Sequence, residues 1–69
     1  MNRFTMVINS IENLYLELEA AKKHDQELLA KHPDHKNAYL WVGFIGDYIA
    51  EMENCREAIE ILKKHGGEG

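Results

Sequence analysis

Apolar residues recur at steps of three and four along nearly the whole chain, and the pattern breaks once. Phe4, Val7, Ile11, Leu14, Leu18, Ala21 and Leu28 follow that spacing, with Asp25 standing where an apolar residue is due. Ile8, Tyr15 and Leu29 lie beside this line and widen it, while Glu12, Glu17, Glu19, Lys23, Gln26 and Glu27 fall mainly elsewhere. Such spacing puts apolar side chains on one stripe of an α-helix. It predicts a helix over about residues 5–31.

The spacing returns after the break. Ala38, Val42, Ile45, Ile49, Met52 and Ile59 form a second line, with Arg56 as its exception and Trp41, Tyr48, Cys55 and Leu62 alongside. This predicts a helix over about residues 37–65. The break lies between them, in KHPDHKN, which holds the only proline. Pro33 has no backbone donor and pushes His32 out of helical geometry. A turn is therefore expected over residues 32–36. At the far end, Lys63, Lys64 and His65 suit the negative pole of a helix and Gly66 suits its stop; residues 66–69 are expected to form a frayed tail.

Two rods of equal length joined by a short turn predict an all-α chain, an antiparallel two-helix hairpin. Each stripe is wider than a two-position seam, so one hairpin leaves apolar surface uncovered. Pairing of two copies into a homodimeric four-helix bundle is the economical remedy. The expected dimer interface is Trp41, Ile45, Tyr48, Ile49 and Met52 with Leu14, Tyr15 and Leu18. The stretch YLWVGFIGDY, residues 39–48, competes with this reading. Its composition and the alternation in RFTMVI also suit strands, giving a β-α-β-α chain. Two parallel strands in 69 residues would leave faces and edges unprotected. The helical register also runs straight through the stretch, at a penalty of about 1 kcal/mol each for Gly43 and Gly46 relative to alanine.

Composition narrows the chemistry. Net charge is -4, which disfavours nucleic-acid binding by bulk electrostatics. Cys55 is the single cysteine, so no disulfide closes within the chain, in keeping with a reducing cytoplasm. Residues 1–10 lack a secretory pattern. The longest uncharged run, residues 37–46, is about half the ~20 residues a membrane helix needs. A cytoplasmic, acidic protein without membrane contact is expected.

Candidate chemistry is sparse. His32, Asp34 and His35 are suitable metal ligands gathered at the turn, but they are at most three, exposed and without a thiol, so a solvated loop is the expected reading. No Glu precedes a His by three positions, as a di-iron bundle requires. Cys55 falls mid-helix beside Arg56, where a packing role fits better than a nucleophile. No phosphate loop, nucleophile elbow or paired-carboxylate cleft occurs. No enzyme activity and no cofactor are expected. Asp25 and Arg56 are the informative charges, since each occupies an apolar line. A turn near Asp34 sets Arg56 opposite Glu12, a candidate ion pair. For Asp25, a tyrosine hydroxyl or a second chain is the expected partner, fixing register.

In length and helix count the chain resembles the small plasmid-encoded helical hairpins that dimerise and bind RNA loops, a likeness no motif carries. Ile45, Gly46, Ile49 and Ala58 resemble a tetratricopeptide repeat in spacing, yet fewer than two repeats are present where three are needed. The expected function is that of a small non-catalytic regulator, an adaptor or inhibitor such as phage and plasmids encode as accessory proteins. It would act through itself as a homodimer and through an unidentified protein partner. Glu12, Glu19, Glu51 and Phe44 are the candidate partner-binding residues, the glutamates attracting a basic surface. The alternative is an RNA-binding hairpin dimer using Lys22, Lys23, Lys31 and Lys36 near the turn, together with Arg3, Lys63 and Lys64 at the other end.

Overall fold

A computed structural model describes residues 2–66. Two helices account for almost all of them: α1, Thr5–Lys31, and α2, Ala38–Gly66. They pack side by side as an antiparallel hairpin, and the chain extends 53 × 14 × 12 Å. No strand occurs among the described residues. The helical register of residues 39–48 therefore prevails over their strand-like composition.

Local chemistry sets the ends of the rods. His32 leaves helical geometry at φ -133°, ψ 59°, as a residue before proline must. Its N–H still donates to the Leu28 carbonyl at 2.8 Å. Two tight turns follow, His35 N–H to the His32 carbonyl at 3.1 Å and Ala38 N–H to the His35 carbonyl at 2.9 Å. At the opposite end of the rod Asn2 acts as a clasp. Its Oδ1 accepts from the Phe4 N–H at 2.7 Å and its carbonyl from the Thr5 hydroxyl at 2.6 Å. Its Nδ2 reaches across to donate to the carbonyls of Leu62 and Lys63, at 3.4 and 3.3 Å. The Arg3 N–H donates to the Gly66 carbonyl at 3.4 Å. One residue thus serves the Phe4 and Thr5 donors at the start of α1 and carbonyl acceptors in the last turn of α2, where a helix leaves backbone groups without internal partners. Gly66, expected to begin a frayed tail, is instead the buried last residue of α2; residues 67–69 lie outside the described residues.

The seam follows a strict heptad. In α2 it runs through Ala38, Trp41, Ile45, Tyr48, Met52 and Cys55 and on to Ile59, Leu62 and Gly66, all buried or half-buried. In α1 it runs through Ile8, Ile11, Tyr15, Leu18, Lys22 and Asp25 to Leu29, likewise. The lines expected from spacing are therefore displaced. Val7 and Leu14, expected on the α1 line, are half exposed, as are Val42 and Ile49 on the α2 line. A stripe three positions wide contains two overlapping three-four lines. The partner helix selects the one that contains Ile8 and Tyr15 on α1 and Trp41, Tyr48 and Cys55 on α2. Arg56 is corrected by the same shift: it is exposed beside the seam, which passes through Cys55 and Ile59.

Packing is uneven along the rod. Among the described residues the buried apolar core is Ile8, Met52 and Cys55; Ile8 and Cys55 lie on the clasp side of the middle and Met52 at the middle of α2. Toward the turn the α1 seam carries Lys22 and Asp25. Lys22 is half-buried, which lets its methylene stem cover apolar neighbours while the ammonium stays wet.

Candidate interaction surfaces

With the seam as the a and d positions of a heptad, the remaining surface divides into two flanks and two backs. One flank is charged. It carries Glu12, Glu19 and Gln26 from α1 and Val42, Ile49, Arg56 and Lys63 from α2. Two open hollows mark it. The first, of about 500 Å³, is lined by Asn9, Glu12, Tyr15, Leu16, Arg56 and Ile59. The second, of about 580 Å³, lies along α1 at Leu16, Glu19, Lys22, Lys23 and Gln26. Neither holds a convergent set of polar groups of the kind that orients a small ligand. Glu12 and Arg56 do share the first hollow, but they form no ion pair within 4.0 Å.

The other flank is apolar. Val7, Leu14, Ala21 and Leu28 follow one another at every seventh position of α1, and Phe44 and Ala58 face them from α2. Glu51 is the acidic residue on that α2 line, His65 its last member. The first half of α2 is apolar beyond both flanks as well. Tyr39 is 71% exposed and Leu40 39%. Asp47 is the only charge between Ala38 and Ala50. A helix that is apolar all round is one that the folded state normally covers.

The expected interface residues separate accordingly. Trp41, Ile45, Tyr48, Tyr15 and Leu18 are half-buried in the hairpin's own seam, and Met52 is buried there. Leu14 and Ile49 remain exposed, one on each flank. The expected partner-binding residues also divide, Glu12 and Glu19 on the charged flank and Phe44 and Glu51 on the apolar one. The cations Lys22, Lys23 and Arg56 lie among the glutamates of the charged flank. The more uniformly acidic surface is the outer side of the second half of α2, where Glu53, Glu57 and Glu60 are all exposed.

At the turn, His35 is engaged in structure. Its Nδ1 accepts from the Asn37 N–H at 3.0 Å, its ring stacks at 5.2 Å and 31° on Trp41, and His32 meets it edge-on at 6.5 Å. Among the described residues no three His, Cys, Asp or Glu side chains converge on a metal position. Asp25 is 9% exposed and lies 3.6 Å from His24 Nδ1, whose own side chain is 70% exposed. Within the chain its neighbour is a histidine and not the tyrosine hydroxyl, one of the two expected partners, the other being a second chain. No helix among the described residues is long and apolar enough to cross a membrane.

No family model matches the chain, and no curated protein and no solved structure matches it. The surfaces alone carry the functional reading. Asn2 is the residue that spacing missed, because its role depends on the carbonyls of Leu62 and Lys63 sixty positions away.

Proposed function

We propose that the protein is a non-catalytic interaction protein that works as a homodimeric four-helix bundle and binds a basic protein segment. One observation carries the reading: the first half of α2 is apolar around its circumference, and α1 covers only one side of it. The surface area agrees. The chain exposes 5277 Å², whereas a compact monomer of 8.0 kDa exposes about 4450 Å². The excess of roughly 800 Å² matches one partner's share of a standard-size interface.

The acidic outer side of α2 supports the second half of the proposal. Glu53, Glu57 and Glu60 stand there with Arg56 beside them and Lys63 and Lys64 one turn beyond Glu60, and the carboxylates up to Glu57 steer a lysine- or arginine-rich partner toward them. A regulator of the adaptor or inhibitor kind needs no more machinery than these two surfaces.

Sedimentation equilibrium tests the assembly, with dimer expected at micromolar chain and a persistent monomer refuting it. Capture from the native cell tests the partner, with wild type and a Glu53→Lys/Glu57→Lys variant compared side by side. A protein with a basic segment, retained by wild type and lost by the variant, is the expected result. Nuclease-sensitive capture of RNA by both chains would overturn it in favour of a nucleic-acid partner.

A further inference from the structure

The hairpin has two flanks, and a homodimer needs only one of them. We propose that two copies meet through the apolar flank, hairpin laid on hairpin with the turns at opposite ends and Glu51 at the two-fold axis. The proposal rests on the homodimer reading above and specifies its surface.

Three observations select this flank. The first is charge. The other flank carries Glu12, Glu19, Arg56 and Lys63, whereas on this side every flank position of α1 from Val7 to Leu28 is apolar and the α2 line adds Glu51 and His65. Charged groups are depleted from the buried core of interfaces. The second is extent. Val7 and Leu14 are 50% and 46% exposed, and Leu40, Phe44 and Ile61, on or beside the α2 line, are 39%, 44% and 55% exposed. The band therefore runs from the clasp end to the turn end of a rod 53 Å long. A straight apolar band of that length fits another rod of the same length, which a second copy supplies.

The third observation is the order of side-chain sizes. The Arg3–Gly66 contact and the hollow shared by Glu12 and Arg56 show which residues lie level across the hairpin. By the same pairing Glu51 lies level with Glu17 and Leu18, at the middle of both helices. A two-fold axis crossing the rods there sets Leu14 over Ala21 of the second copy, Val7 over Leu28, and Phe44 over Ala58. Large residues then meet small ones along most of the band, as close packing of facing positions requires. Placing both turns at the same end instead brings Leu28 against Phe44 and leaves Ala21 beside Glu51.

The axis also sets Glu51 near its own copy. Like charges there weaken the dimer, and salt screens them. Self-association that tightens as salt rises is the expected signature, and Glu51→Gln is expected to tighten it at low salt.

Sedimentation equilibrium on two double variants tests the surface. Leu14→Lys/Phe44→Lys is expected to weaken the dimer on the order of 100-fold, since it buries charge at the centre of the contact. Val42→Lys/Ile49→Lys, on the other flank, is expected to leave it within about threefold. Circular dichroism of the monomeric double variant should still show the hairpin, because all four residues are exposed within one chain. Glu51→Cys in a Cys55→Ala background supplies an independent test. Air oxidation is expected to give a covalent dimer much faster than the control Glu57→Cys in the same background. Loss of the dimer from the Val42→Lys/Ile49→Lys variant alone, or equal cross-linking by the two cysteine variants, overturns this inference and leaves the homodimer standing. A wild-type chain that stays monomeric overturns both.

Discussion

Replacing glycine by alanine inside a helix ordinarily stabilises a protein by roughly 1 kcal/mol. This hairpin is expected to obey the rule twice and reverse it once. A Cβ built on Gly43 or Gly46 meets nothing within 4 Å, so Gly43→Ala and Gly46→Ala should each add about 0.8–1 kcal/mol. A Cβ on Gly66 would lie 2.5 Å from Asn2 Oδ1, 2.7 Å from Phe4 Cδ2 and 3.0 Å from Arg3 Cγ. The Asn2 contact is the costly one. Its amide is held on both sides, by the Phe4 N–H at Oδ1 and by the Leu62 and Lys63 carbonyls at Nδ2. Moving it sacrifices hydrogen bonds worth about 0.5–1.5 kcal/mol each. Gly66→Ala should therefore destabilise by about 1–3 kcal/mol. For a chain of this size each 1 kcal/mol moves Tm by roughly 4–8 °C, so the two classes of variant should melt on opposite sides of wild type. A double-mutant cycle isolates the cause: in an Asn2→Ala background the penalty of Gly66→Ala should shrink by about 1 kcal/mol. If Gly66→Ala raises Tm as much as Gly43→Ala does, the clasp does not exist in solution.

Two further substitutions and one labelling experiment probe other parts of the rod. Asp25→Leu should stabilise the chain by about 1–3 kcal/mol, because a buried carboxylate is exchanged for a packing group; sedimentation should then show mixed assemblies, and an unchanged assembly would remove any role of Asp25 in fixing register. His35→Ala should cost about 1 kcal/mol through the lost acceptor for the Asn37 N–H and the lost stack on Trp41, and the emission of the only tryptophan should shift with it; no change in either would show the stack to be incidental. Cys55 is 5% exposed, so a thiol reagent should label it at the rate at which the hairpin opens, and labelling as fast as that of a free thiol would contradict its burial.

Much of the architecture was legible because the two features that determine it are local. Three-four spacing through residues 39–48 outweighed their strand-like composition, and Pro33 with its neighbours placed the turn. Which line of each stripe would become the seam was not legible. Val7, Ile8 and Ile11 are all apolar, as are Trp41, Val42 and Ile45, so spacing admits two rotations of each helix that differ by half a step. The choice is made by the other helix, and it moved Arg56 out to the surface and Leu14 and Ile49 onto opposite flanks. Asp25, by contrast, could be read as a seam charge under either rotation, though its pairing with His24 could not.

The placement of the core has a dynamic consequence. Ile8 and Cys55 are buried on the clasp side of the middle and Met52 at the middle, whereas Asp25 and Lys22 occupy the seam toward the turn. A covalent turn ordinarily makes the closed end of a hairpin its steadiest part; here the closed end is expected to open first. Backbone amides near Ile45 and Leu28 should exchange with solvent deuterium sooner than those near Ile11 and Cys55. Anything that settles over the greasy start of α2 would slow the first set and leave the second unaltered.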